Sequence, residues 1–211
     1  MDPMESEKPQ AIPVNKYPIG GVGSALGEGL VETLKGVSEI EAEIVRLARN
    51  TTSTALSTGA SAASEGTSVA RDMIKGALAA SQIVGTDIAI TTKNVAKGII
   101  MGTGDVGADL MTAARTTIKG AMEGATDIGA DVGTVAQQTI EGILEATREI
   151  GGNVEEVARV VTESAVESAG SISGTVAGTV RKLAVGILEG IKVMVEATLP
   201  KPRSVPESPK E

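Results

Sequence analysis

The side chains that most often carry catalysis are missing from this 211-residue chain. It has no His and no Cys, so neither an imidazole base nor a thiolate nucleophile is at hand. What remains is a set of carboxylates. Asp127/Asp131 and Glu141/Glu145 each stand four apart, a spacing that puts both acids on one face of a helix and could hold a hard cation weakly. Such pairs more commonly mark a solvated face. Gly-x-Gly strings in residues 20–29 and 102–107 resemble phosphate-cradling loops, but neither follows a predicted strand and no GK[ST] tripeptide occurs. The sequence therefore predicts no catalytic, cofactor-binding or metal site, no cofactor, and a protein that is not an enzyme.

The elements available to position anything are helical. Tyr17 is the sole aromatic residue. Cores of this size rely on aromatics for large buried area, so a compact enzyme domain is disfavoured against one-dimensional packing, in which each unit touches only its neighbours or a partner. The net charge of −8, from 19 basic and 27 acidic residues, disfavours nucleic acid as a partner. Residues 1–9 carry Asp2, Glu5 and Glu7 without an apolar run, unlike a secretory signal. No run of 18 apolar residues exists, so no spanning helix is expected. The expected location is cytoplasmic, peripheral to a membrane, droplet or granule.

All eight prolines lie near the ends, from Pro3 to Pro18 and from Pro200 to Pro209. Since proline breaks helix interiors, the middle reads as one helical zone. The predicted organisation is a flexible Pro/Gly-rich tail over residues 1–28, an amphipathic helical repeat region over 29–199, and a disordered Pro-rich tail over 200–211. Within the middle, the sequence repeats every 22 residues without insertion or deletion, counted here from Met73. The fourth position is Gly76, Gly98, Gly120, Gly142, Ser164 and Gly186. The twelfth runs Val84, Val106, Ile128, Ile150, Ile172, and the sixteenth Ile88, Leu110, Val132, Val154, Val176. Residues 51–72 keep the length but are a weak block, rich in Ser, Thr and Ala.

Twenty-two is two elevens, and eleven residues is close to three turns, so an apolar stripe drifts only about 20° per eleven. The apolar arc, about 160° wide, exceeds a coiled-coil seam and suits a helix lying on a flat apolar boundary. The predicted surface-binding face includes the residues just named at positions twelve and sixteen together with Ile118, Ile140, Leu144 and Leu188. The fold class expected is all-α: one long amphipathic helix, or helical hairpins broken in the 51–72 block or at Gly151–Gly152, built from 22-residue (2 × 11) repeats with disordered tails.

Charges are sorted along the same frame. Lys75, Lys97, Lys119, Arg115, Arg159 and Arg181 recur at positions 3 and 21, and Asp87, Asp105, Asp109, Asp127, Asp131 and Glu149 at positions 11 and 15. On one continuous helix this sets like charges at i,i+4, as in Asp105/Asp109, which is unfavourable. Parallel helices side by side would instead bring the basic flank of one to the acidic flank of the next. Residues 73–198 also hold 18 glycines. At about 0.8–1 kcal/mol each they would burden a free helix by on the order of 15 kcal/mol. Either the helix forms mainly on a partner, or glycine lets helices approach closely.

Blocks such as TIKGAMEGATDIGADVG resemble the eleven- and twenty-two-residue repeats of perilipins, synucleins and exchangeable apolipoproteins, and the period is similar to that of group 3 late embryogenesis abundant proteins. The resemblance covers residues 29–198 and rests on periodicity and composition. It implies peripheral binding to lipid droplets or membranes and disorder in free solution. The sequence thus predicts a non-catalytic coat or scaffold, with a lipid or other apolar surface as partner and self-association besides. The alternatives are a self-assembling structural right-handed coiled coil or helical bundle, and a stress or desiccation protectant.

Overall fold

The computed structural model describes residues 21–58 and 63–198, and every element among them is an α-helix. In chain order these are α1 (Gly21–Thr58), α2 (Ala63–Val84), α3 (Ile88–Asp105), α4 (Leu110–Asp127), α5 (Val132–Glu149), α6 (Val154–Ile172) and α7 (Gly174–Thr198). The expected tails over 1–20 and 200–211 lie outside the described residues. The N-terminal tail expected over 1–28 is corrected for residues 21–28, which begin α1. Pro18 is the last proline before them, so nothing beyond it forbids helical backbone. The chain divides into two units, residues 1–40 and 41–211. The described part of the first is the start of α1; the second holds the rest of α1 and all of α2 to α7.

In the second unit, the expected single long helix, or few hairpins, is replaced by a break in every repeat. α3 to α6 begin at Ile88, Leu110, Val132 and Val154, one repeat apart. The reason is local. The thirteenth position is Gly85, Gly107, Gly129 and Gly151, with φ of +77°, +65°, +69° and +73°, a left-handed conformation that costs any L side chain. After α3, the Ala108 amide donates to the Thr103 carbonyl and the Gly107 amide to the Gly104 carbonyl, both at 3.1 Å, which closes the helix end with the paired bonds of a glycine C-cap. Two residues after each glycine comes an acid or amide that starts the next helix. Asp87, Asp109, Asp131 and Asn153 accept from amides in the first turn, for example Ala89 N at 2.8 Å and Thr134 N at 2.6 Å.

The like-charge problem disappears with these breaks. Asp105 ends α3 while Asp109 caps α4, and Asp127 and Asp131 divide in the same way between α4 and α5. The junction between α6 and α7 is different. It is the single extended residue Ser173, whose amide donates to the Ala169 carbonyl and whose Oγ accepts from the Val176 amide.

Alternate helices lie side by side in two layers. α2, α4 and α6 form one layer; residues 41–58 of α1 with α3 and α5 form the other. Within a layer the helices are parallel, because contacts advance together along both: Arg71 meets Glu123 and Lys75 meets Asp127. The core between layers is aliphatic, with Ile74, Leu78, Ile99, Ile118, Met122 and Ile140 essentially inaccessible. Its polar members are threonines and serines that satisfy themselves. Thr103, Thr139 and Thr147 donate to the carbonyl four residues back at 2.7–2.8 Å, and no buried side-chain polar atom among the described residues lacks a partner. Short side chains and narrow interhelical gaps explain how a core forms without aromatics.

Candidate functional site

The chemistry of this chain resides in the faces by which alternate helices meet. Each earlier helix of a pair offers cations and each later helix offers carboxylates. Arg49 of α1 makes two hydrogen bonds of 2.6 Å to Asp105 of α3. Lys75 of α2 reaches Asp127 of α4 at 2.8 Å. Lys97 of α3 bridges Glu145 at 2.8 Å and Glu149 at 2.5 Å on α5, and Lys93 joins Glu145 at 3.1 Å. The basic and acidic flanks thus pair between parallel helices in three contacts, α1–α3, α2–α4 and α3–α5; among the described residues no ion pair joins α4 to α6, where Ser171 stands in the place of Asp127 and Glu149. The Arg49 hydrogen bonds hold the Asp105 carboxyl below its ordinary range, and those from Lys97 do the same for Glu145. Burial alone would lower the Lys97 ammonium, but its bonds to Glu145 and Glu149 hold it above the usual lysine range.

Glycine sets the distance at which these charges meet. A Cβ on Gly98 would stand 2.6 Å from the Val45 carbonyl oxygen, one on Gly120 3.0 Å from Arg71 Cα, and one on Gly142 would overlap the Lys93 carbonyl oxygen. Three repeats therefore use glycine at the fourth position for backbone contact between helices. That is the close-approach reading of the glycines rather than the partner-induced one.

The predicted surface-binding face is largely turned inward. Ile118 and Ile140 are fully buried in the chain's own core. Ile88, Leu110, Ile128, Val132, Leu144, Ile150, Ile172 and Val176 are half-buried and pack against that core. Val106 and Val154 are half-buried, and the Val84 side chain lies outside the described set. Leu188 alone among those described is exposed, at 37%. The correction has one cause. The arc was continuous only on an unbroken helix; once each repeat turns back, its twelfth and sixteenth positions become helix ends closing over the core. The carboxylate pairs considered for a cation are also otherwise engaged: Asp127 with Lys75, Asp131 as an N-cap, Glu145 with Lys97, and Glu141 accepting from Gln137 at 3.0 Å. Among the described residues no cluster of three or more acids, His or Cys could hold a metal, and no helix is long and apolar enough to cross a membrane.

The pattern fails at α7. By the spacing of Lys97 and Glu145, Glu141 of α5 would face Glu189 of α7, acid against acid. α7 instead packs chiefly on α6, running antiparallel to it and burying Val180, Ala184 and Ile191. Gly186, the equivalent of Gly142, meets nothing within 4 Å, and an open cleft of about 540 Å³ separates it from Gln137 and Glu141. A second groove, about 590 Å³, is lined by Arg115, Arg159, Val166, Arg181, Val185 and Leu188. Sequence reasoning placed a break at Gly151–Gly152, where α5 does give way to α6, but missed the equivalent breaks at Gly85, Gly107 and Gly129 and this terminal reversal; the sign of residue 141 was the available signal for the last.

No family model matches the chain, and no curated protein does. Among solved structures it is similar to the de novo designed helical repeat protein DHR7, with 17% identity over 72% of this chain and 98% of that one. The TM-score is 0.33, a superposition too loose to define the fold by itself.

Proposed function

We propose that the chain is a non-catalytic structural scaffold, a stack of short helices that folds on itself and associates through its open ends. The observation that supports this reading is the burial of Ile118 and Ile140, central members of the apolar arc, against neighbouring helices of the same chain. An arc so used has no need of lipid to fold. The satisfied caps and close glycine contacts favour the same reading, and they leave the desiccation-protectant alternative, which needs disorder in water, without support.

Circular dichroism of the purified chain with and without lipid vesicles tests it. Full helicity and cooperative unfolding in buffer are expected. A chain that is largely unfolded in buffer and gains helix on vesicles overturns the scaffold reading in favour of a lipid coat. A narrower lipid reading has one observation behind it: α7 carries Val185, Leu188 and Val193 exposed along its length. Flotation of the folded chain with vesicles, abolished by acidic substitutions at these three positions, would establish a peripheral contact there.

A further inference from the structure

A basic residue recurs at position 21 of the repeat. Arg49, Arg71 and Lys93 each meet a carboxylate on the next helix but one: Asp105, Glu123 and Glu145. Arg115, Arg159 and Arg181 hold the same position on α4, α6 and α7, and among the described residues none of them forms an ion pair. Two departures from the array produce this. On α6, Ser164 replaces the glycine seen at Gly120 and Gly142, and Glu167, in the place of Glu123 and Glu145, forms no ion pair with α4. α7 then turns back along α6, which carries Arg181 towards Arg159. All three arginines line the groove of about 590 Å³.

Glu163 is the one carboxylate lining this groove, so its walls carry three positive charges against one negative, a net of +2, in a chain whose total is −8. Asp109 feels the charge of Arg115, but it is engaged in capping α4 through Met111 and Thr112. Like charges brought together by converging helices focus a positive potential that an anion relieves. Guanidinium forks match phosphate oxygens in pairs. Beside them the wall is aliphatic: Val166 is half-buried, and Val185 and Leu188 are 51% and 37% exposed, apolar surface that an alkyl chain would cover. The volume falls within the roughly 300–1,000 Å³ usual for small-molecule sites. A phosphate monoester carries about −1.5 to −2 at neutral pH, close to the inverse of the charge on the walls, whereas a carboxylate supplies half as much. We propose that the groove binds a single-chain phosphate amphiphile, its headgroup among Arg115, Arg159 and Arg181 and its alkyl chain against Val166, Val185 and Leu188. This goes beyond the scaffold reading: it needs the stack folded but not associated.

Isothermal titration of the full chain with dodecyl phosphate, kept below its micelle concentration, tests the site. One molecule bound per chain is expected. Inorganic phosphate, which has no alkyl chain, and dodecylphosphocholine, whose headgroup has no net charge, should each bind at least about tenfold more weakly. Arg159→Gln and Arg181→Gln should each weaken dodecyl phosphate by about tenfold, and Leu188→Ser by about fivefold. Lys119→Gln removes an exposed cation outside the groove and should leave binding unchanged. All four positions are exposed, so helicity by circular dichroism should match the native chain in every variant. Inorganic phosphate or dodecylphosphocholine binding as tightly as dodecyl phosphate overturns the site, as do arginine variants no weaker than Lys119→Gln. Adsorption to vesicles containing phosphatidic acid without binding of the monomer overturns it too, since that would be a surface contact alone. A chain unfolded in buffer overturns the scaffold reading. A folded chain that binds no dodecyl phosphate overturns only the groove.

Discussion

Arg49 and Asp105 face each other in two parallel hydrogen bonds of 2.6 Å, although they stand 56 positions apart in the chain. Paired planar groups of this kind fix orientation as well as distance, so the bond aligns residues 41–58 of α1 with α3. Both side chains remain about a third or more exposed, and solvent screening limits the stabilisation. Arg49→Asp should lower the unfolding free energy by about 1 kcal/mol at low salt, less as salt rises. Arg49→Asp with Asp105→Arg should recover most of that loss. Chemical denaturation of the four chains in this cycle checks it; a zero coupling energy would mean that the pair plays no part in aligning the helices.

The glycines predict opposite signs at equivalent places. Gly142→Ala drives a methyl into the Lys93 carbonyl, backbone that cannot move aside, and should destabilise by about 1–3 kcal/mol. Gly186→Ala adds the same methyl in open space on α7 and should stabilise by just under about 1 kcal/mol through helix propensity alone. Thermal unfolding of both variants decides. Equal effects would mean that α7 packs on α5 as the interior helices do on one another.

These contrasts mark how far the sequence could be read. The 22-residue period and the all-helical content were legible because the register runs without insertion or deletion from residue 73, and the charge flanks because they recur in its first repeats, from Lys75 to Lys119 and from Asp105 to Glu149. The helix ends were not. Gly107 and Gly129 needed singling out from 18 glycines in the same region, most of which have ordinary helical φ. Asp109 and Asp131 looked like members of an acidic flank until the break placed them at helix starts. The unfavourable i,i+4 pairing of Asp105 with Asp109 was the clue that one continuous helix was wrong. Reading the arc as one continuous face followed from treating the repeats as one unbroken helix, whereas the burial of Ile118 and Ile140 depends on the chain turning back.

The turns give a third test. Gly129→Ala forces an L side chain to φ near +69° and should cost about 1–2 kcal/mol. Asp109→Ala removes the acceptor for the Met111 and Thr112 amides and should cost about 1 kcal/mol. Asp109→Asn retains an accepting oxygen and should cost much less. Were the chain one long helix, Gly129→Ala would stabilise it instead, so the sign of that single change, read by denaturant midpoint, separates the two architectures.

Acid stability depends on the same contacts. Five carboxyls lie below their ordinary values: Glu43 through Arg46, Asp105 through Arg49, Asp109 through the Thr112 hydroxyl, Asp131 through the Thr134 amide, and Glu145 through Lys97. A carboxyl lowered by folding contributes stability that is complete above its ordinary value, 3.8 for Asp and 4.5 for Glu. That contribution is lost as pH falls through the lower folded value. Lys75 and Lys97, raised above the ordinary 10.5, contribute fully below that value and lose it only as pH rises past their folded values. With no His in the chain, no side chain with an ordinary pKa titrates between about pH 5 and 8. The melting temperature should therefore be flat across that window and fall steeply below about pH 4. Asp105→Asn should flatten part of the acid limb while lowering the plateau. A transition centred near pH 6–7 would mean that the native state holds a strongly shifted acid, which none of these contacts supplies.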